Sequence, residues 1–183
     1  AVAIGLTAGQ YAQGGNSVAI GQSAGQISQG SNSIAIGHNT GLSGQDSSAI
    51  AIGFSAGLSS QGQFTIAIGS TAGANNQGRY AVAVGAFAGA TGQVMESVAI
   101  GKFAGNYNQD RGAIAIGTSA GYTGQGQNAI AIGHLAGATG QFAGSIVLNA
   151  SGAALNAGET GFFVDPVRNT TGLSGFTGSL WYN

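Results

Sequence analysis

The chain holds two His, five carboxylates and four basic residues among 183 residues. Their spacing says more than their number. His38 and His134 are 96 residues apart, and Asp46 and Asp110 are 64 apart, both multiples of 16. Arg79, Met95 and Arg111 follow one another at intervals of 16, as do Phe64 and Tyr80, and Phe87 and Phe103. A stack of 16-residue units at the strand spacing of about 4.8 Å separates the two histidines by about 29 Å and the two aspartates by about 19 Å. Zinc needs three or four converging ligands, so the histidines share no metal within one chain. Glycoside hydrolysis needs carboxylates roughly 5–10 Å apart, so the aspartates fail that test. Glu96 and Asp110 fall in adjacent units, flanked by Arg79 and Arg111, which reads as a compensated surface patch. Serines are plentiful, but two isolated His give no nucleophile–base pair. The Gly-rich units lack the Lys of a phosphate loop and the Asp-bearing nonapeptides of calcium β-rolls. No catalytic residue, metal site or cofactor is therefore assigned, and the chain is not read as an enzyme.

The interval of 16 belongs to a repeat. The unit Val/Ile-Ala-Ile/Val-Gly starts at Val2, Val18, Ile34, Ile50, Ile66, Val82, Val98, Ile114 and Ile130, without insertion or deletion. With that first residue as position 1, position 2 is always Ala and positions 4 and 8 are always Gly. Position 7 is Ala in every copy except at Thr40, and position 16 is always Ser, Ala or Thr. Position 12 is always Gln: Gln13, Gln29, Gln45, Gln61, Gln77, Gln93, Gln109, Gln125 and Gln141. Ile146-Val147-Leu148-Asn149 keeps a tenth strand and loses the rest of the motif.

Two Gly per unit argue against a helix, at about 1 kcal/mol each. The alternation at positions 1 to 3 is the strand period, and Gly suits turns needing φ > 0. One such coil cannot bury its own apolar face, so coils must stack as a solenoid, about 48 Å long for ten coils. The fold expected is an all-β parallel β-solenoid, or β-roll, over 1–149, with a capping or transition segment over 150–183. Stacking places the nine Gln in a column where side-chain amides can bond up and down as a structural ladder; a glycan-binding stripe is the alternative.

Positions 1 and 3 are read as filling the coil, opposed by the position-7 Ala. The position-2 alanines then point outward: Ala3, Ala19, Ala35, Ala51, Ala67, Ala83, Ala99, Ala115 and Ala131. Their uniformity marks them as a candidate subunit contact between identical copies. The reverse assignment, with Ala inside and Ile at the contact, is the alternative, and either one argues for an oligomer.

Charged residues are 5% of the chain and the net charge is −1. With four Lys and Arg in all, the chain has no phosphate-tracking face and is not read as a nucleic-acid binder. There is no Cys, hence no disulfide or thiolate site. No apolar run approaches a membrane span, so no membrane insertion is expected. The sequence starts in mid-pattern at Ala1, which reads as a piece of a longer protein. The 43% of hydrophobic residues, strictly periodic, argue against disorder.

"NSVAIGQSAGQISQGS", Asn16 to Ser31, resembles the head repeat of trimeric autotransporter adhesins of the YadA type. That resemblance covers residues 1 to about 149. It implies a left-handed parallel β-roll with three chains to a head. The 16-residue unit is longer than the familiar adhesin unit. Units of this "AIGxxAGxxxQG" kind are also similar to repeats in fibre proteins of phages and large algal viruses. There the array gives way to a segment like Ser145–Asn149 followed by "GFFVDPVRN", Gly161 to Asn169, and a self-cleaving chaperone domain often follows. "SLWYN", Ser179 to Asn183, reads as a run-up to one.

The 150–183 segment loses the motif and holds Pro166, Trp181 and Phe162-Phe163. A solenoid end needs covering, and Phe162, Phe163 and Trp181 are the candidate cap; an aromatic binding loop is the alternative. Phe64, Arg79, Tyr80, Phe87, Met95, Phe103 and Arg111 form a candidate receptor patch, since recognition surfaces favour aromatics and Arg; the alternative is columnar stacking that stiffens the rod. Asn149-Ala-Ser and Asn169-Thr-Thr match the glycosylation pattern. The expected function is that of a structural, adhesive fibre segment: a rigid homotrimer outside a virion or cell, attaching to a host or other surface. Its expected partners are copies of itself and a host-surface glycan or protein. A self-assembling extracellular filament and an ice-binding solenoid are the alternatives; the latter needs a flat column of Thr that positions 6 and 10 do not supply.

Overall fold

The computed structural model describes residues 1–166, and Trp181, Ser179–Asn183 and the Asn169 acceptor lie outside them. The described chain is an all-β parallel solenoid with one 16-residue motif per coil. One sheet is made by the Val/Ile-Ala-Ile/Val segments: β1 (Val2–Ile4), β3 (Val18–Ile20), β5 (Ile34–Ile36), β7 (Ile50–Ile52), β9 (Ile66–Ile68), β11 (Val82–Val84), β12 (Val98–Ile100), β13 (Ile114–Ile116), β14 (Ile130–Gly133), β15 (Ile146–Asn149) and β16 (Phe162–Asp165). Each pairs in parallel with the next, residue i beside residue i+16. The second sheet holds β2 (Tyr11–Gln13), β4 (Ile27–Gln29), β6 (Ser43–Gln45), β8 (Ser59–Gln61) and β10 (Asn75–Gln77). It runs on as isolated bridges linking Asn75, Thr91, Tyr107, Thr123 and Thr139.

Two turns close each coil, and both glycines of the motif are sterically required. At Gly53, with φ +131°, a Cβ would stand 2.7 Å from the Gly69 carbonyl oxygen of the next coil. At Gly57, with φ +53°, it would stand 2.6 Å from Gln61 Oε1. Position-8 Gly and position-12 Gln are thus one packing unit: the missing side chain is where the amide lies.

The core reverses the preferred sequence reading. Ala19, Ala35, Ala51, Ala67, Ala83, Ala99, Ala115 and Ala131 point into the coil and are 0% exposed. Ala3, in the first coil, is exposed. From Ala51 on they meet the position-7 alanines, such as Ala56 and Ala72, in one cluster, and Ala19 and Ala35 form a second with Ala24, the two parting where Thr40 replaces a position-7 alanine. The position-2 alanines are therefore not a subunit contact; the outward side chains are Val and Ile at positions 1 and 3. The cause is width. At Gly73 a Cβ would lie 3.2 Å from the Ala67 Cβ across the coil, so there is no space for Ile. Thr40 fits among the position-7 alanines by donating its hydroxyl to the Gly53 carbonyl. The position-16 hydroxyls are likewise used: Ser33 Oγ donates to Gly30 O at 2.6 Å, and Ser97 Oγ to Val94 O at 2.6 Å.

The register also outlasts the motif. Phe162 lies beside Ile146 and Phe163 beside Val147, again 16 residues on. At position 2 the interior thus steps from Ala131 to Val147 to Phe163. Phe163 and Leu155 pack onto the end of the alanine cluster.

Candidate functional site

Three surfaces bear on function: the amide column inside, the apolar stripe outside the first sheet, and the corners. The column comes from position 12, where the chain leaves the second sheet with its side chain turned inward. Gln29 through Gln141 are at most 2% exposed. Each Nε2 donates across the coil to the position-1 carbonyl eleven residues back, as Gln61 does to Ile50 O at 2.9 Å. Gln77, Gln93, Gln109, Gln125 and Gln141 also donate to the carbonyl four residues on. Between coils, the Nε2 of Gln29, Gln45, Gln61, Gln77, Gln93 and Gln109 donates to the Oε1 of the next Gln, at 3.1–3.3 Å. Gln13 bonds only within its own coil, to Val2 O at 2.9 Å. Buried polar groups need such partners. The two amide oxygens left without one are those of Gln29 and Gln141, near the two ends of the column.

The stripe is the outer face of the first sheet. Ile4 is 58% exposed and Ile132 40%, with Ile68 and Ile100 close to the latter. The other Val and Ile at positions 1 and 3 of the array are partly or largely exposed. Two β-branched side chains per coil thus form an apolar strip along the sheet.

The structure splits the candidate receptor patch between two corners at opposite ends of the first-sheet strands. In the corner before the strand, Phe64 and Tyr80 stack at 5.4 Å with rings 3° apart. The Arg79 guanidinium lies 4.8 Å from the Tyr80 ring centre. Met95 is exposed, and Arg111 Nε meets Glu96 at 3.1 Å. In the corner after the strand, Phe87 stacks on Phe103 at 5.1 Å, and Lys102 lies over Phe103. The sequence reading missed Tyr122 and Tyr107, which extend this second corner by edge contacts of 6.1 and 5.7 Å. They occupy positions 9 and 10, not 6, so a search for like residues in one column passes over them.

A second missed signal is the backbone. Phe64, Tyr80, Phe87 and Phe103 have φ of 58–62°, in corners where most other coils place Asn, Ser, Thr or Gly, Glu96 and Leu135 being the exceptions. Non-Gly residues in this region cost on the order of 1 kcal/mol or more, so bulky aromatics there are held against local preference. His38 stacks on Phe54 at 5.5 Å. The Asn149 acceptor is a correction: its side chain is 4% exposed and donates to His134 O at 2.8 Å and to Ala153 O, so it is not available to a glycan. Phe162 is 42% exposed, beside the inward Phe163.

A family model described as the YadA head domain repeat matches residues 28–40, 60–88, 77–104 and 125–143. In these stretches the chain is similar to YadA head repeats. The matched stretches run from the fourth strand into the ninth coil, and the parallel 16-residue register is continuous through the YadA-like repeats and beyond them. No curated protein and no solved structure matches the chain.

Proposed function

We propose that the chain is a rigid segment of a homotrimeric, surface-displayed β-roll fibre that attaches a virion or cell to a host or another surface. The apolar stripe at positions 1 and 3 carries this reading. It is long, regular and uncovered by the described residues, and a strip of that kind marks an interaction face. YadA heads assemble from three identical chains, and three copies about one axis bring three such stripes together. Burying even half of a Val or Ile side chain contributes about 1 kcal/mol, and the strip repeats it on every coil. The alanine–amide interior keeps each coil narrow and the rod stiff, and the two aromatic corners stay outside as attachment surfaces. Many shallow contacts repeated on three chains gain by avidity. In this role the fold holds and presents; it performs no reaction.

Native mass spectrometry tests the assembly. The expected mass is three times the chain's 17.7 kDa; a monomer at micromolar concentration sinks the trimer. Attachment is tested by binding of the trimer to host-cell or glycan-coated surfaces. Loss on Tyr80→Ala or Phe103→Ala is expected, and unchanged binding in both leaves the corners as stacking alone.

A further inference from the structure

We propose that a groove on the second sheet, flanked by Asn108 and Asp110, binds a neutral hexopyranose unit. The groove lies along coils six to eight, in the valley between positions 11 and 13, is open to solvent and has a volume of about 390 Å³. Its floor is backbone, because the Gln109 and Gln125 side chains between those positions turn inward. Gly124 leaves the floor open beside Asn108, an added Cβ there meeting nothing nearer than Gly140 Cα at 3.8 Å, while the Asn108 side chain lies over Gly92. Val94 supplies one exposed apolar wall.

The donor set fits a polyol. Asn108 and Asp110 both line the groove, on either side of the inward-turned Gln109, and so offer polar groups to one ring from two positions. Asp110 Oδ1 accepts from the Arg111 backbone N–H at 2.6 Å, which steadies the carboxylate and leaves Oδ2 for hydroxyl donors. The Asn108 amide both donates and accepts, and Val94 meets the ring's C–H face. The charge is selective: Asp110 is the charged group of the lining, and the Arg111 guanidinium beside it is engaged by Glu96 at 3.1 Å. An anionic sugar is therefore disfavoured. Tyr107, next to Asn108, is 45% exposed and braced edge-on by Tyr122, which provides a ring for a neighbouring sugar to stack on. The second sheet lies across the coil from the Val/Ile stripe, so the groove stays open in a trimer. This assigns a ligand class to the attachment reading and rests on that reading for its biological meaning. The groove itself is built by one chain, so its failure and the trimer's are separate results.

The test is saturation-transfer NMR on the intact protein with methyl α-mannoside, methyl α-glucoside and methyl β-galactoside, and N-acetylneuraminic acid as the anionic control. Transfer to at least one neutral hexoside and none to the acid is expected, falling at least tenfold in Asp110→Ala and in Gly124→Asn. The second variant fills the floor without disturbing the fold. Asn76 and Asn108 already stand at that position with φ of 56° and 54°, and a Cβ on Gly124 first meets Gly140 Cα at 3.8 Å. An unchanged melting midpoint by circular dichroism verifies folding. Absence of transfer to all three hexosides overturns the proposal. So does a signal that persists in both variants, or one stronger for the acid.

Discussion

The two sides of the first sheet obey opposite rules. Inside, the strand contributes one alanine per coil, 0% exposed from Ala19 to Ala131. Outside, the same strand contributes two β-branched side chains that the described residues do not cover. In most half-buried strands the larger apolar residues face the core. Here the core is too thin for them, and the larger residues face the place where another chain is proposed to sit. Stability of the coil and affinity between copies are thereby assigned to different residues of one tripeptide, and mutations can separate them.

Gln77→Ala is the harshest way to break the inner side. It removes the amide donor from Ile66 O and from Ala81 O, the latter keeping the Ile66 N–H, and it interrupts the column between Gln61 and Gln93. Cavity and unpaired groups together make this about 3–5 kcal/mol, read as a lowered denaturant midpoint. Ala83→Leu overfills the same interior and is expected to cost about 1–3 kcal/mol; if its midpoint matches wild type, the coil is wider than described. Ile68→Ser with Ile100→Ser probes the outer side. Because these side chains are 38 and 39% exposed, the midpoint of the isolated chain is expected to move by under about 1 kcal/mol, while native mass shows loss of the trimer. Should the trimer survive, the stripe is not its contact. The smallest effect belongs to a corner: Glu96→Gln removes a half-exposed ion pair with Arg111 and is expected to cost at most about 0.5 kcal/mol, vanishing in high salt.

The parallel solenoid was legible because nine motifs keep one interval, and only stacked coils explain an invariant Gly-Ala-Gln pattern. The inside–outside assignment was not, because hydrophobic rank alone sends Ile and Val inward; the limit is coil width, which depends on how closely Ala67 and Gly73 face each other. The Gln column was readable as stacked amides. Its cross-strut to the position-1 carbonyl was not, since that depends on a turn of unknown shape. The end was half legible: of the expected cap residues Phe163 packs on the alanine cluster while Phe162 faces outward, and their 16-residue offset from Ile146 and Val147 was hidden by loss of the motif between. Tyr107 and Tyr122 escaped because a corner joins neighbouring columns, whereas the sequence had been read one column at a time.

The six side-chain bonds from Gln29 to Gln109 all run in one sense, each nitrogen giving its hydrogen toward the carboxyl-terminal neighbour. Aligned amide dipoles add, and in a low-dielectric interior each polarises the next. The column therefore behaves as a wire of oriented charge with its negative pole at the uncapped Gln29 oxygen. Three parallel copies would give a fibre with an electrical direction along its length, which transient electric birefringence could detect as a permanent dipole moment.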